Sequence, residues 1–66
     1  MTFNDAKKVK RGDILYTKPA RKPVKVVDIT YIQAGWGIPD NSYRFTVEYS
    51  DGRVDEYLHR YLLIKE

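Results

Sequence analysis

The chain of 66 residues contains no cysteine. That absence removes two ways of stapling so short a domain, a disulfide framework and a thiolate metal site. An oxidising compartment therefore gains no support. Histidine occurs once, so the familiar nucleophile–base pairings would have to join His59 to Ser42 or Ser50. No glycine motif of the phosphate-cradling kind is present, and Asp51, Asp55 and Glu56 lack the spacing of a calcium loop. No run approaches the roughly 18 apolar residues of a membrane span. The opening Met1-Thr2-Phe3-Asn4-Asp5-Ala6-Lys7-Lys8 lacks a signal peptide's apolar region. A soluble, cytoplasmic protein without catalytic residues, metal or cofactor is the expectation.

What the chain does have is aromatic surface: six Tyr, two Phe and one Trp. A chain this short buries only about 60% of the surface it exposes when unfolded, so its core must be dense in large side chains. The net charge of +3 is unevenly spread. Residues 1–25 hold eight Lys and Arg against two Asp, whereas residues 26–66 hold four against seven carboxylates. A basic third kept on one surface attracts polyanions; the same residues also serve as plain solvating charges on two loops.

The stretch Tyr43–Tyr57 organises the rest. Tyr43, Phe45, Val47 and Tyr49 alternate with Arg44, Thr46 and Glu48, Ser50-Asp51-Gly52 supplies a turn, and Val54 begins a second extended run. Ahead of it, Thr2 and Asp5 have capping-box spacing for a single helical turn continuing from Ala6 to Val9, which Gly12 ends. Asp13–Thr17 reads as a first strand. Lys18-Pro19-Ala20-Arg21-Lys22-Pro23 is a basic loop stiffened by two prolines.

Val24–Gln33 is the longest β-prone run, with apolar groups on both faces, as in a strand that bends. Ala34–Ser42 must be a loop, and Trp36 lies in it between two glycines. In a domain short of core, the expected arrangement tucks the indole back as a lid; the alternative displays it to a partner. His59-Arg60-Tyr61 suits a surface turn, and Leu62–Lys65 a last short strand. The sum is an all-β, five-stranded small barrel, residues 12–66, behind an N-terminal turn over residues 1–11, in a single domain.

This order of elements resembles an SH3-like barrel of the Tudor type over about residues 9–65. The resemblance is carried by Val9-Lys10-Arg11-Gly12-Asp13-Ile14-Leu15 as first strand and by Val47-Glu48-Tyr49-Ser50-Asp51-Gly52-Arg53-Val54 as hairpin. The glycine of the KOW type is missing, Ala20 and Arg21 occupying its loop, so a KOW-type ribosomal role is not implied. The resemblance implies an aromatic cage or groove for methylated Arg or Lys, with Tyr16 and Tyr49 at the matching positions and Tyr31 and Trp36 available to complete it.

Two binding readings follow, of which the first is the expected one and the second its alternative. In the first, Lys18, Arg21, Lys22 and Lys25, with Lys10 and Arg11 and the nearby Lys7 and Lys8, meet the phosphates of a nucleic acid, and adjacent aromatics stack on bases. In the second, a protein or peptide docks on the groove of Tyr16, Tyr31, Trp36 and Tyr49, or the domain pairs with itself through a barrel edge. The carboxylates Asp55 and Glu56 place a nucleic-acid surface away from the hairpin's far end, on the proline-bearing loop.

Overall fold

The β-prone run after the proline-bearing loop becomes the longest strand, β2 (Pro23–Ile32), in a computed structural model that describes residues 1–65. β2 lies between β1 (Ile14–Thr17) and β3 (Ser42–Glu48); β4 (Val54–Leu58) pairs with the other side of β3, and β5 (Leu62–Leu63) with the other side of β1. The pairings are antiparallel, giving one five-stranded sheet in the order β4-β3-β2-β1-β5. Among the described residues no backbone pairing joins β4 to β5, so the expected closure into a barrel is not made by hydrogen bonds. β5 supplies only two paired residues, and both are used by Tyr16 and Thr17 of β1.

One turn of helix, α1 (Phe3–Ala6), starts after Thr2, which caps it as its spacing from Asp5 suggests, the hydroxyl accepting from the Asp5 N–H at 3.1 Å, and it ends at Ala6 without continuing to Val9. A 3₁₀ turn over His59–Tyr61 connects β4 to β5. The buried core consists of Ala6, Leu15, Val24, Val26, Phe45, Val47 and Leu62, with Val9, Ile29, Tyr43 and Tyr57 packed around it.

The apolar groups on both faces of β2 have a local cause. Val26 pairs with Val47 but Asp28 pairs with Thr46, leaving Val27 as an extra residue in a bulge. Because side chains alternate with a period of two, one inserted residue swaps the faces. Val24 and Val26 point inward before the bulge, and Ile29, opposite buried Phe45, packs on the core after it. A single-face alternation along the whole run therefore does not hold, and Val27 is left exposed.

The ends of β2 and β3 project. β1 pairs with β2 only as far as Lys25, and β4 reaches no further along β3 than Arg44. The pairs Tyr31–Tyr43 and Ile32–Ser42 thus form a two-stranded ribbon without flanking strands, and the molecule measures 36 × 20 × 20 Å. The ribbon's base is covered by α1, whose Phe3 ring lies 6.4 Å from that of Tyr31 and 5.2 Å from that of Tyr43.

Candidate functional site

Trp36 occupies the end of this ribbon. Gly35 and Ile38 exchange both main-chain hydrogen bonds at 3.0 Å, so Trp36 and Gly37 form a two-residue connection. Gly37 has φ +73°, a conformation that residues with a Cβ resist, and this is why a glycine follows the tryptophan. Trp36 is 103% exposed, with Ile38 and Tyr31 also exposed. The expected lid is therefore not formed. The ribbon carries residue 36 beyond the core, and an indole at its end has no interior within reach. Between Thr30 and Tyr43 the sequence has no Lys or Arg, and Asp40 is its one charge.

The basic residues lie elsewhere. Lys18–Lys22 joins β1 to β2 at the opposite end of β2, up to about 30 Å from the ribbon tip at roughly 3.3 Å per residue. The loop is pinned: Thr17 exchanges backbone hydrogen bonds with Arg21 and Lys22, its hydroxyl accepts from the Lys22 N–H at 3.2 Å, and the Lys18 ammonium donates to the Arg60 carbonyl at 3.1 Å. Arg21 sits in the left-handed region at φ 56°. Lys25 pairs with Glu48 across the sheet. Arg11 bridges to Asp28 at 3.0 Å, and the Asp28 carboxyl is held below its usual range, first by the Ile29 N–H and then by Arg11. Among the described residues Lys10, Arg21 and Lys22 have no carboxylate within ion-pair distance.

The four aromatics of the anticipated groove do not converge. Tyr16 pairs with Pro23 near the basic loop, while Tyr31 and Trp36 belong to the ribbon. Tyr49 borders a shallow cavity of ≈ 290 Å³ with Pro23, Val24 and Lys25, yet its own groups are occupied. Its hydroxyl is hydrogen-bonded to that of Tyr57, and the Arg53 guanidinium covers its ring at 4.3 Å. The acidic β3–β4 turn also lies at the same end of the sheet as the basic loop, since Lys25 pairs with Glu48 and Glu48 with Val54. The opposed charge poles read from the sequence are thus brought together.

Two features escaped the sequence reading. His59 is not on a surface turn: only 8% of it is exposed, because the 3₁₀ turn folds under Phe3, whose ring meets the imidazole edge at 5.9 Å. Burial, followed by the charge of Arg60, lowers its pKa below the ordinary histidine value. The second is the cluster Phe3, Tyr31, Tyr43, Phe45 and His59, assembled from four separate segments. Spacing within one segment cannot reveal it. Ser42 and Ser50 gain no imidazole partner, because the contacts of Ser42 are Asp40 and Arg60.

Among the described residues no helix is long and apolar enough to cross a membrane, and no three His, Asp or Glu side chains gather as a metal site. Compared with protein families, characterised proteins and solved structures, the chain matches none.

Proposed function

We propose that this chain is a non-enzymatic protein-interaction module, an SH3-like domain of the Tudor type that inserts Trp36 into an apolar pocket of a partner protein. The strand order, the bulge in β2 and the 3₁₀ turn before β5 support the SH3-like assignment. The observation that carries the function is the complete exposure of Trp36 at a connection closed by two hydrogen bonds. A large ring held on a short, hydrogen-bonded turn loses little freedom on binding, and tryptophan dominates interface energetics when it enters a dry pocket.

The ribbon's chemistry favours protein over nucleic acid, because residues 31–42 contain no cation to accompany a base-stacking ring. The nucleic-acid reading keeps Arg21 and Lys22, which face solvent without carboxylate partners among the described residues. The two readings separate by substitution. In cross-linking and pull-down from cells that express the chain, Trp36→Ala loses the captured protein and Lys22→Ala retains it. Binding to a fluorescent oligonucleotide stays weak at low salt and insensitive to Trp36→Ala. Tight, steeply salt-dependent oligonucleotide binding abolished by Lys22→Ala would overturn the assignment.

A further inference from the structure

At the foot of the ribbon lies a cavity of ≈ 400 Å³ lined by Phe3, Asp40, Asn41, Ser42, His59 and Arg60. Its polar lining is rich in donors. The His59 Nδ1 accepts the Tyr43 N–H at 3.2 Å, so the ring proton resides on Nε2, which the fold does not use. The Asn41 Oδ1 accepts the Ala34 N–H at 2.7 Å, leaving its Nδ2 hydrogens. Ser42 is 3% exposed, and its hydroxyl has two contacts, both at 3.4 Å, one to the Asp40 carbonyl and one from Arg60 Nη2. Contacts of that length are near the limit of hydrogen bonding and are readily exchanged for better ones.

Arg60 makes no other side-chain hydrogen bond and no ion pair among the described residues. The Lys18 ammonium, bound to the Arg60 carbonyl, adds positive charge nearby. Asp40 is the one carboxylate in the lining.

From this excess of donors we infer that the cavity binds the phosphate group of a small phosphorylated molecule, the oxygens taking Arg60, His59, Asn41 and Ser42 and the remainder lying against Phe3. Four donor groups would take up all of the roughly four lone-pair sites of a carboxylate, whereas the three terminal oxygens of a phosphate can meet them from separate directions, and arginine is well shaped to pair with two of those oxygens. The cavity is larger than a phosphate alone, which leaves room beside the aromatic wall. The site shares no residue with the ribbon tip, so it stands or falls independently of the Trp36 assignment.

The test is an NMR titration of the full chain with sodium phosphate near neutral pH, at ionic strength held constant with sodium chloride. The expected result is a saturable shift of the His59 imidazole and Asn41 side-chain amide resonances at millimolar phosphate. Arg60→Gln weakens the binding about tenfold or more, as loss of a charge-assisted pair does. Asp40→Asn, which removes the repelling carboxylate, tightens it; a gain of this kind cannot come from unfolding. Lys22→Ala leaves it unchanged. An absence of saturation at tens of millimolar, an equal response to sodium acetate, or unchanged affinity in both Arg60→Gln and Asp40→Asn overturns the proposal.

Discussion

The hydroxyls of Tyr49 and Tyr57 meet across the β3–β4 hairpin. That hydrogen bond, more than the accompanying burial, pushes the Tyr57 phenol up to about 12. Folding therefore favours neutral Tyr57, and this contribution to stability is lost as pH rises above the ordinary value of 10.0. Ultraviolet phenolate titration of the folded chain should show one tyrosine ionising last, and Tyr49→Phe should bring it forward; an unchanged titration would discount the pair. His59 works at the other end of the scale. Its lowered pKa means that the unfolded chain binds the proton more readily, so stability falls as pH drops below 6.5. Urea midpoints taken between about pH 7 and about pH 5 should fall accordingly, with the slope reduced in His59→Gln. The carboxyl of Asp28, held below 3.8, adds a separate loss at still lower pH.

At the scale of elements, the β3–β4 hairpin was legible because alternation and turn chemistry are local. Gly52 has φ +88°, and a Cβ built there meets nothing within 4 Å, so only backbone conformation opposes a side chain. Gly52→Ala should cost about 1–2 kcal/mol. The melting temperature drops by roughly 4–8 °C for each kcal/mol, which calorimetry can check. The proline-bearing loop, the capping by Thr2 and the 3₁₀ turn were readable for the same reason, each depending on residues a few positions apart. The bulge at Val27 was not, since it exists only relative to the partner strand β3. Nor could the sequence show that Trp36 stands clear of the core; this depends on where β1 and β4 stop pairing. The same limit applies to His59, buried by a ring more than fifty positions away in sequence.

For the whole molecule, seven buried apolar residues make up the core, and Phe45, at 0% exposure, is the largest of them. Phe45→Ala should cost about 3–5 kcal/mol. A domain of this length has roughly 3–10 kcal/mol in total at 0.05–0.15 kcal/mol per residue. A strongly lowered melting temperature, seen by circular dichroism, is the expected outcome; a cooperative melt close to that of the parent chain would contradict this description of the core. Charge is likewise a whole-molecule property here. The excess of cations in residues 1–25 suggested one basic surface, but the antiparallel register sets Glu48 beside Lys25 and Asp28 beside Arg11. Sequence polarity was legible, whereas its partial offset in space required the strand order.

The projecting ribbon has one more consequence, for how the molecule opens. Beyond Arg44 on β3 and Lys25 on β2, the pairs from Tyr31–Tyr43 to Gly35–Ile38 are held by each other and, at their base, by Phe3, by the bond from the Tyr43 N–H to His59 and by the contact of Ser42 with Arg60. The amide protons around Gly35 and Ile38 can exchange with solvent by fraying of the tip alone, while that of Tyr43, bonded to buried His59, and those of Val26 and Val47 await disruption of the packing beneath them. The segment that displays Trp36 is thus the least cooperative part of the sheet, and a partner that grips it would slow amide exchange there while leaving the global unfolding rate of the unbound fold untouched.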